Sequence, residues 1–226
     1  MNDSFANRIT IAGASATMTG TNVNATKETG EPNHAGNSGG KSVWWTWTAP
    51  ASGTVTIDTT GSNFDTLLAT YTGSTVSALT AVTNGSNDDN PAGGTTTSLV
   101  TFPVTAGTVY QIAVDGYNGL SGNITLQVNL AVAAPGAPAS VAASNATFTD
   151  RVRITWAASL GATGYQVWRS TTNNSSSAIL LTSTDVTGTL FDDLTAVSGT
   201  TYFYWIKAKN TGGVSGFSAV ASGKRA

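Results

Sequence analysis

The chain has no cysteine, one histidine and few charges, 10% of its 226 residues. Without cysteine there is no disulfide scaffold, no zinc–thiolate centre and no thiol nucleophile, and the redox compartment stays open. His34 lies in GEPNHAGNSGG, which reads as loop rather than as a strand end that holds a serine and an acid, so a nucleophilic triad has no support. No apolar run approaches the ~18 residues of a spanning helix, and no signal peptide or sustained helical period is visible. TGTNVNATKETG lacks the spacing of a phosphate-binding loop, and no other nucleotide motif is present. The opening MNDSF reads as an initiator Met on an excised fragment, so the native protein is expected to be longer.

Thr, Ser, Asn and Gly take the place of the missing charges, which is the composition of an extracellular β protein. The net charge of -2 hides an asymmetry. Up to residue 132 the acids Asp3, Glu28, Glu31, Asp58, Asp65, Asp88, Asp89 and Asp115 face only Arg8, Lys27 and Lys41. Beyond residue 138 bases outnumber acids, yet no basic run or RNA-type motif accompanies them, so nucleic acid is not an expected partner. Short alternating runs bounded by Gly, Asn, Ser and Pro predict an all-β chain of two β-sandwich domains in tandem. The first is expected over 1–132 with eight strands in a jelly-roll-like sandwich, and the second over 140–226 with seven. AAPGAPAS, with Pro135 and Pro138, marks a semi-rigid linker at 133–139.

SVWWTWTAP concentrates three of the six tryptophans. Strand alternation puts Val43, Trp45 and Trp47 on the core face and Trp44 on the other, either as a partly exposed platform or beneath the long segment 14–40. In the second domain alternation sends Tyr165, Val167, Tyr202, Tyr204, Ile206 and Ala208 inward and Trp168 and Trp205 outward. That outward pair is either a sugar-stacking surface or ordinary cross-strand packing. With exposed Tyr117, the candidate ligand-binding rings are therefore Trp44, Tyr117, Trp168 and Trp205.

Residues 2–8 (NDSFANR), 47–61 (WTAPASGTVTIDTTG), 64–73 (FDTLLATYTG), 86–89 (SNDD) and 106–116 (AGTVYQIAVDG) resemble the bacterial pre-peptidase C-terminal domain family. The family's small sandwiches are appended to secreted proteases and other exported bacterial enzymes. RVRITW, GYQVWRS and Leu194 followed eight residues later by Tyr202 resemble a fibronectin type III domain, with Tyr202 as the corner tyrosine. The resemblances imply a non-catalytic accessory fragment of a larger secreted bacterial protein. It would bind a polysaccharide or a fibrous protein, or else serve purely as a spacer, and it is expected to be an extracellular monomer.

Calcium is the cofactor expected, because a hard cation wants six to eight oxygens and an acidic, Asn-rich loop domain supplies them. Asp65 with Asn87, Asp88 and Asp89 forms one candidate site on two loops. A second is implied by resemblance to the collagen-binding relatives of the family, through Asn2, Asp3 and the loop of Glu31, Asn33 and His34. The alternative is that these side chains cap turns. Asp88 and Asp89, read as strand neighbours, would point to opposite faces and so could not flank a glycosidic bond.

Overall fold

The computed structural model describes residues 2–90 and 96–226, and almost all regular structure in it is β. Two compact units divide the chain, Met1–Val132 and Ala133–Ala226. The first contains β1 (Ile9–Ile11), β2 (Ser15–Thr21), β3 (Val43–Thr48), β4 (Gly53–Asp58), β5 (Thr66–Thr72), β6 (Thr80–Asn87), β7 (Leu99–Val104), β8 (Val109–Gly116) and β9 (Asn123–Val132). They build a five-stranded sheet, β1-β3-β8-β5-β6, and a four-stranded sheet, β2-β9-β4-β7. Pairing is nested and antiparallel, β2 with β9, β3 with β8, β4 with β7 and β5 with β6. That is the winding of a jelly roll, a long hairpin folded over into two sheets.

Patterning predicts a strand at ITIAG, and the segment 14–40 is one of the two alternatives for the face of Trp44; the structure divides these stretches differently. ITI is β1, an edge strand that runs parallel to β3 with Ile9 opposite Trp45 and Ile11 opposite Trp47. The jelly roll's own first strand is β2, inside the supposed covering segment. Its inward residues are Ala16, Met18 and Gly20, and at Gly20 a side chain is excluded because the Trp45 indole lies 3.2 Å from where its Cβ would stand. Trp45 and Trp47 fill the space between the sheets with Ile57, Phe102, Ile112 and Leu126, as alternation predicts. The Trp47 indole N–H donates to the Gly13 carbonyl at 2.9 Å.

On the opposite face of the five-stranded sheet a second, smaller cluster forms from Phe5, Trp44, Ala69, Tyr71 and Ala113. Residues 2–8 and 22–41 lie over it, so that β5 is buried on both faces from Thr66 to Tyr71. A strand with a continuous apolar stretch such as Leu67-Leu68-Ala69 is what two-sided burial requires.

The second unit contains β10 (Ala142–Ala143), β11 (Val152–Thr155), β12 (Gly164–Ser170), β13 (Ile179–Leu180), β14 (Leu190–Asp193), β15 (Tyr202–Asn210), β16 (Gly213–Val214) and β17 (Ala221–Gly223). Its sheets are β10-β11-β14 and β13-β12-β15, with β16 and β17 both paired to β15 as one interrupted last strand. At the interruption, Ser215 and Ser218 hydroxyls accept from the Ala208 and Ile206 amides and so replace the missing ladder bonds. Three strands against four is the arrangement of a fibronectin type III sandwich. Tyr165, Val167, Tyr204, Ile206 and Ala208 form its core with Val152, Ile154 and Trp156. The ring of Tyr202 is buried and its hydroxyl accepts from the Val197 amide, the expected tyrosine corner.

Candidate functional site

Three carboxylates meet at one end of the jelly roll. Asp65 immediately precedes β5, and Asp88 and Asp89 immediately follow β6; because β5 and β6 are antiparallel neighbours, with Leu68 opposite Asn87, these loops lie side by side. One carboxylate oxygen from each of Asp65, Asp88 and Asp89 lies within 4.8 Å of the others. Here strand alternation is the wrong guide: β6 ends at Asn87, and in the bend beyond it Asp88 and Asp89 turn to the same point.

The backbone beneath the acids is fixed. The Tyr117 amide donates to Asp65 O at 3.0 Å, and Ser98 Oγ donates to Asp88 O at 2.8 Å. Ser98 itself belongs to a buried hydroxyl chain through Thr66 (3.0 Å) to Thr59 (2.7 Å). Asn87 Oδ1 accepts from the Leu99 amide at 3.0 Å, so this candidate ligand holds the loop instead of adding an oxygen to the cluster. Asp65 Oδ1 and Asp88 Oδ1 are shielded from solvent and have no hydrogen-bond partner among the described residues. Burial, and then the charge of Asp89, pushes the Asp65 carboxyl above its ordinary 3.8. Burial, then Asp65 and Asp89, does the same to Asp88. Such a cluster is repulsive when ionised, and a hard cation is the chemistry that relieves it.

The other predicted calcium set is not assembled. The Asn2 amide donates to Trp44 O at 2.8 Å, and the Asp3 carboxylate accepts from the Thr26 amide at 2.7 Å. Glu31 is buried and accepts from His34 Nε2 at 2.8 Å and from the Glu28 amide at 2.9 Å. His34, fully buried, meets the Tyr71 hydroxyl through Nδ1 at 2.8 Å. Burial works to raise the Glu31 carboxyl, but the bond to His34, with the other hydrogen bonds it accepts, outweighs that and holds it below its usual value. The chain's own donors thus take the place of a cation, and these residues pin the strap over Trp44.

Sequence reasoning passed over Asp115. Its fully buried carboxylate accepts from the amides of Gly40 (2.9 Å), Lys41 (2.8 Å) and Gly116 (2.7 Å). A Cβ at Gly39 would lie 1.8 Å from Asp115 Oδ2, and Gly39 has φ +51. The paired glycines before Lys41 were the available signal: they let backbone amides close around an anion.

The aromatic candidates fare unequally. Trp44 is 0% exposed, packed edge-on by Phe5 at 5.0 Å and by His34 at 5.3 Å, which corrects its reading as a platform. Trp205 is also buried, against the expectation of an exposed pair. It does face Trp168 across β12 and β15, and the Phe217 ring packs edge-on against Trp168 at 5.5 Å. Lys207 Nζ lies 4.1 Å from the Phe217 centroid and 5.6 Å from that of Trp168. Trp168 is therefore only half-buried but is already partly covered by its own chain. Tyr117 is exposed at 37%.

Residues 41–116 match the bacterial pre-peptidase C-terminal domain family. That match lies within the first unit, and the second unit has the strand arrangement of a fibronectin type III-like sandwich. Among solved structures, a Fn3-like protein from Clostridium thermocellum is similar at 29% identity, covering 42% of this chain and 96% of that one with a TM-score of 0.38. FN3tt is similar at 18% identity, covering 42% and 100% with a TM-score of 0.36. Pectate lyase Pel3 from Pectobacterium carotovorum is similar at 21% identity, covering 37% and 26% with a TM-score of 0.32. No curated protein matches the chain. Pre-peptidase C-terminal and fibronectin-like domains are typically non-catalytic accessory modules, the former usually found in secreted bacterial proteins. Among the described residues no helix is long and apolar enough to cross a membrane.

Proposed function

We propose that the chain is a non-catalytic accessory fragment of a larger secreted bacterial protein, that its pre-peptidase C-terminal-type domain is stabilised by calcium at Asp65, Asp88 and Asp89, and that it targets an extracellular polysaccharide or fibrous protein. The observation that carries the calcium assignment is the convergence of three carboxylates within 4.8 Å, two of them with shielded, unpartnered oxygens. Calcium supplies the positive charge the cluster lacks, and remaining ligands come from water and carbonyls. Thermal unfolding in chelator and in millimolar calcium tests it: the ion raises the melting temperature of the first unit, as any ligand of the native state alone must. Asp88→Asn abolishes that response and, in chelator, raises stability by about 0.2–1 kcal/mol, the scale of one relieved like-charge contact. A melting curve indifferent to calcium sinks the assignment.

A second reading, two spacers that position a catalytic domain, draws support from the burial of Trp44 and Trp205. It is distinguished by the chain's failure to bind any polysaccharide or collagen.

A further inference from the structure

Alternation along β12 turns Arg169 to the same face as Tyr165 and Val167, so an arginine stands at the rim of the second sandwich's core. Its side chain, 14% exposed, lines a cavity of about 320 Å³ together with Ile179, Tyr202 and the hydroxyl-bearing Ser170, Thr171, Thr172 and Ser177. That is the lower end of the ~300–1,000 Å³ range of small-molecule sites, room for one sugar ring rather than a length of chain.

The guanidinium is fixed from behind and unspent in front. Nη1 donates to Asp193 Oδ2 at 2.7 Å and to Thr195 Oγ1 at 2.9 Å, and the group lies 4.5 Å over the Tyr202 ring. Asp193 is buried, does not line the cavity, and its other oxygen accepts from the Thr195 amide and hydroxyl. Nε and Nη2 of Arg169 make no hydrogen bond among the described residues. Those two N–H groups form the parallel pair with which an arginine grips a carboxylate side-on. Asp193 offsets the arginine's own charge, and the surplus of seven Arg and Lys over four Asp in residues 138–226 keeps the unit attractive to anions. Beside the arginine, the hydroxyls of Ser170, Thr172 and Ser177 close a triangle with edges of 3.2, 3.0 and 3.1 Å, and Ser177 Oγ donates to Asn174 O at 2.9 Å. Their protons are taken up by one another and by that carbonyl, so the hydroxyls offer lone pairs to a ligand's O–H groups.

We propose that this pocket binds a uronic acid unit of an acidic polysaccharide, its carboxylate on Nε and Nη2 of Arg169, its hydroxyls donating to the Ser170–Thr172–Ser177 triangle and its C–H groups against Ile179 and Tyr202. The proposal rests on the targeting reading above and names its ligand class.

Native affinity electrophoresis of the full chain in chelator tests it, through gels containing polygalacturonate, alginate, xyloglucan or dextran sulfate. A uronate polymer retards the chain; xyloglucan does not, and dextran sulfate does so less. Ile179→Glu, at an exposed position opposite Arg169, sets a carboxylate of the chain's own beside the guanidinium and abolishes retardation. Ser177→Ala weakens it ~3–10-fold, the effect of one lost hydrogen bond. Arg169→Lys keeps the charge but loses the side-on pair, and weakens it at least ~10-fold. The melting temperature of the second unit is unchanged in the first two variants, which carry the test if Arg169→Lys unfolds. Lys207→Gln removes one charge from the opposite face of the same sheet and leaves retardation as it was. Retardation that survives Ile179→Glu, or that dextran sulfate matches, overturns the pocket; if it is lost instead in Trp168→Ala, the targeting reading stands. Absence of retardation in every gel also overturns the pocket, and the targeting reading falls with it only where the chain fails to bind collagen as well.

Discussion

Trp44 shows how far one side chain's role depends on what is laid over it. Its strand neighbours on the same face are threonines, and the segments that carry Phe5 and His34 make it core. Trp44→Ala is accordingly expected to lose about 3–5 kcal/mol, as much as Trp47→Ala, the range for deleting a large buried ring; chemical denaturation of both variants checks this, and a near-neutral Trp44→Ala would contradict it. The carboxylates make a second prediction, on pH. Asp65 and Asp88 titrate above their ordinary 3.8 in the folded chain, so their contribution is fully present below 3.8 and is lost as pH rises through the raised values. Glu31 has the opposite sign: held below its ordinary 4.5, it contributes above that pH and loses its contribution as pH falls through its folded value. In chelator, acidification therefore stabilises the first unit through Asp65 and Asp88 and destabilises it through Glu31, the latter only below 4.5. In calcium the first effect reverses, because protons compete with the ion. Melting temperature against pH in the two buffers measures this, and parallel curves would refute it.

At the scale of elements, the clamp around Asp115 is the most exacting feature. Gly39→Ala forces a side chain into a left-handed backbone and onto a buried carboxylate, and a loss of roughly 2–4 kcal/mol is expected, measured by denaturant unfolding. A stability change within experimental error would show that the loop relaxes freely. The contrast between what alternation disclosed and what it hid is physical. It disclosed the core faces of β3, β12 and β15, because Val43, Trp45 and Trp47, Tyr165 and Val167, and Tyr204, Ile206 and Ala208 recur at every second position. It missed β2, because SATMTGT turns Ala, Met and Gly inward beneath Trp45, which is a strand whose apolar signal has been ceded to its partner. Of the candidate sites, Asp65, Asp88 and Asp89 were legible as an acidic pair of loops. The set of Asn2, Asp3 and Glu31 was not, since composition cannot say whether an oxygen will meet a cation or a backbone amide.

At the scale of the whole molecule, the two units have separate cores, one around Trp45 and Trp47 and one around Tyr204 and Ile206. Two unfolding transitions are expected in calorimetry, and calcium is expected to move only one of them; a single transition that shifts as a whole would show the units to be coupled. The nested pairing of the first unit also sets an order in time. Its innermost pair, β5 with β6, closes a short loop, whereas the outermost joins Ser15 to Asn129. Loop closure between distant residues follows the nearer ones, so the four-stranded sheet cannot form until the last strand has been synthesised. A chain emerging from the ribosome thus carries β2 and β4 without their shared neighbour β9 until nearly the whole domain is made, and under the exported role proposed above that is the unfolded state a translocation channel requires.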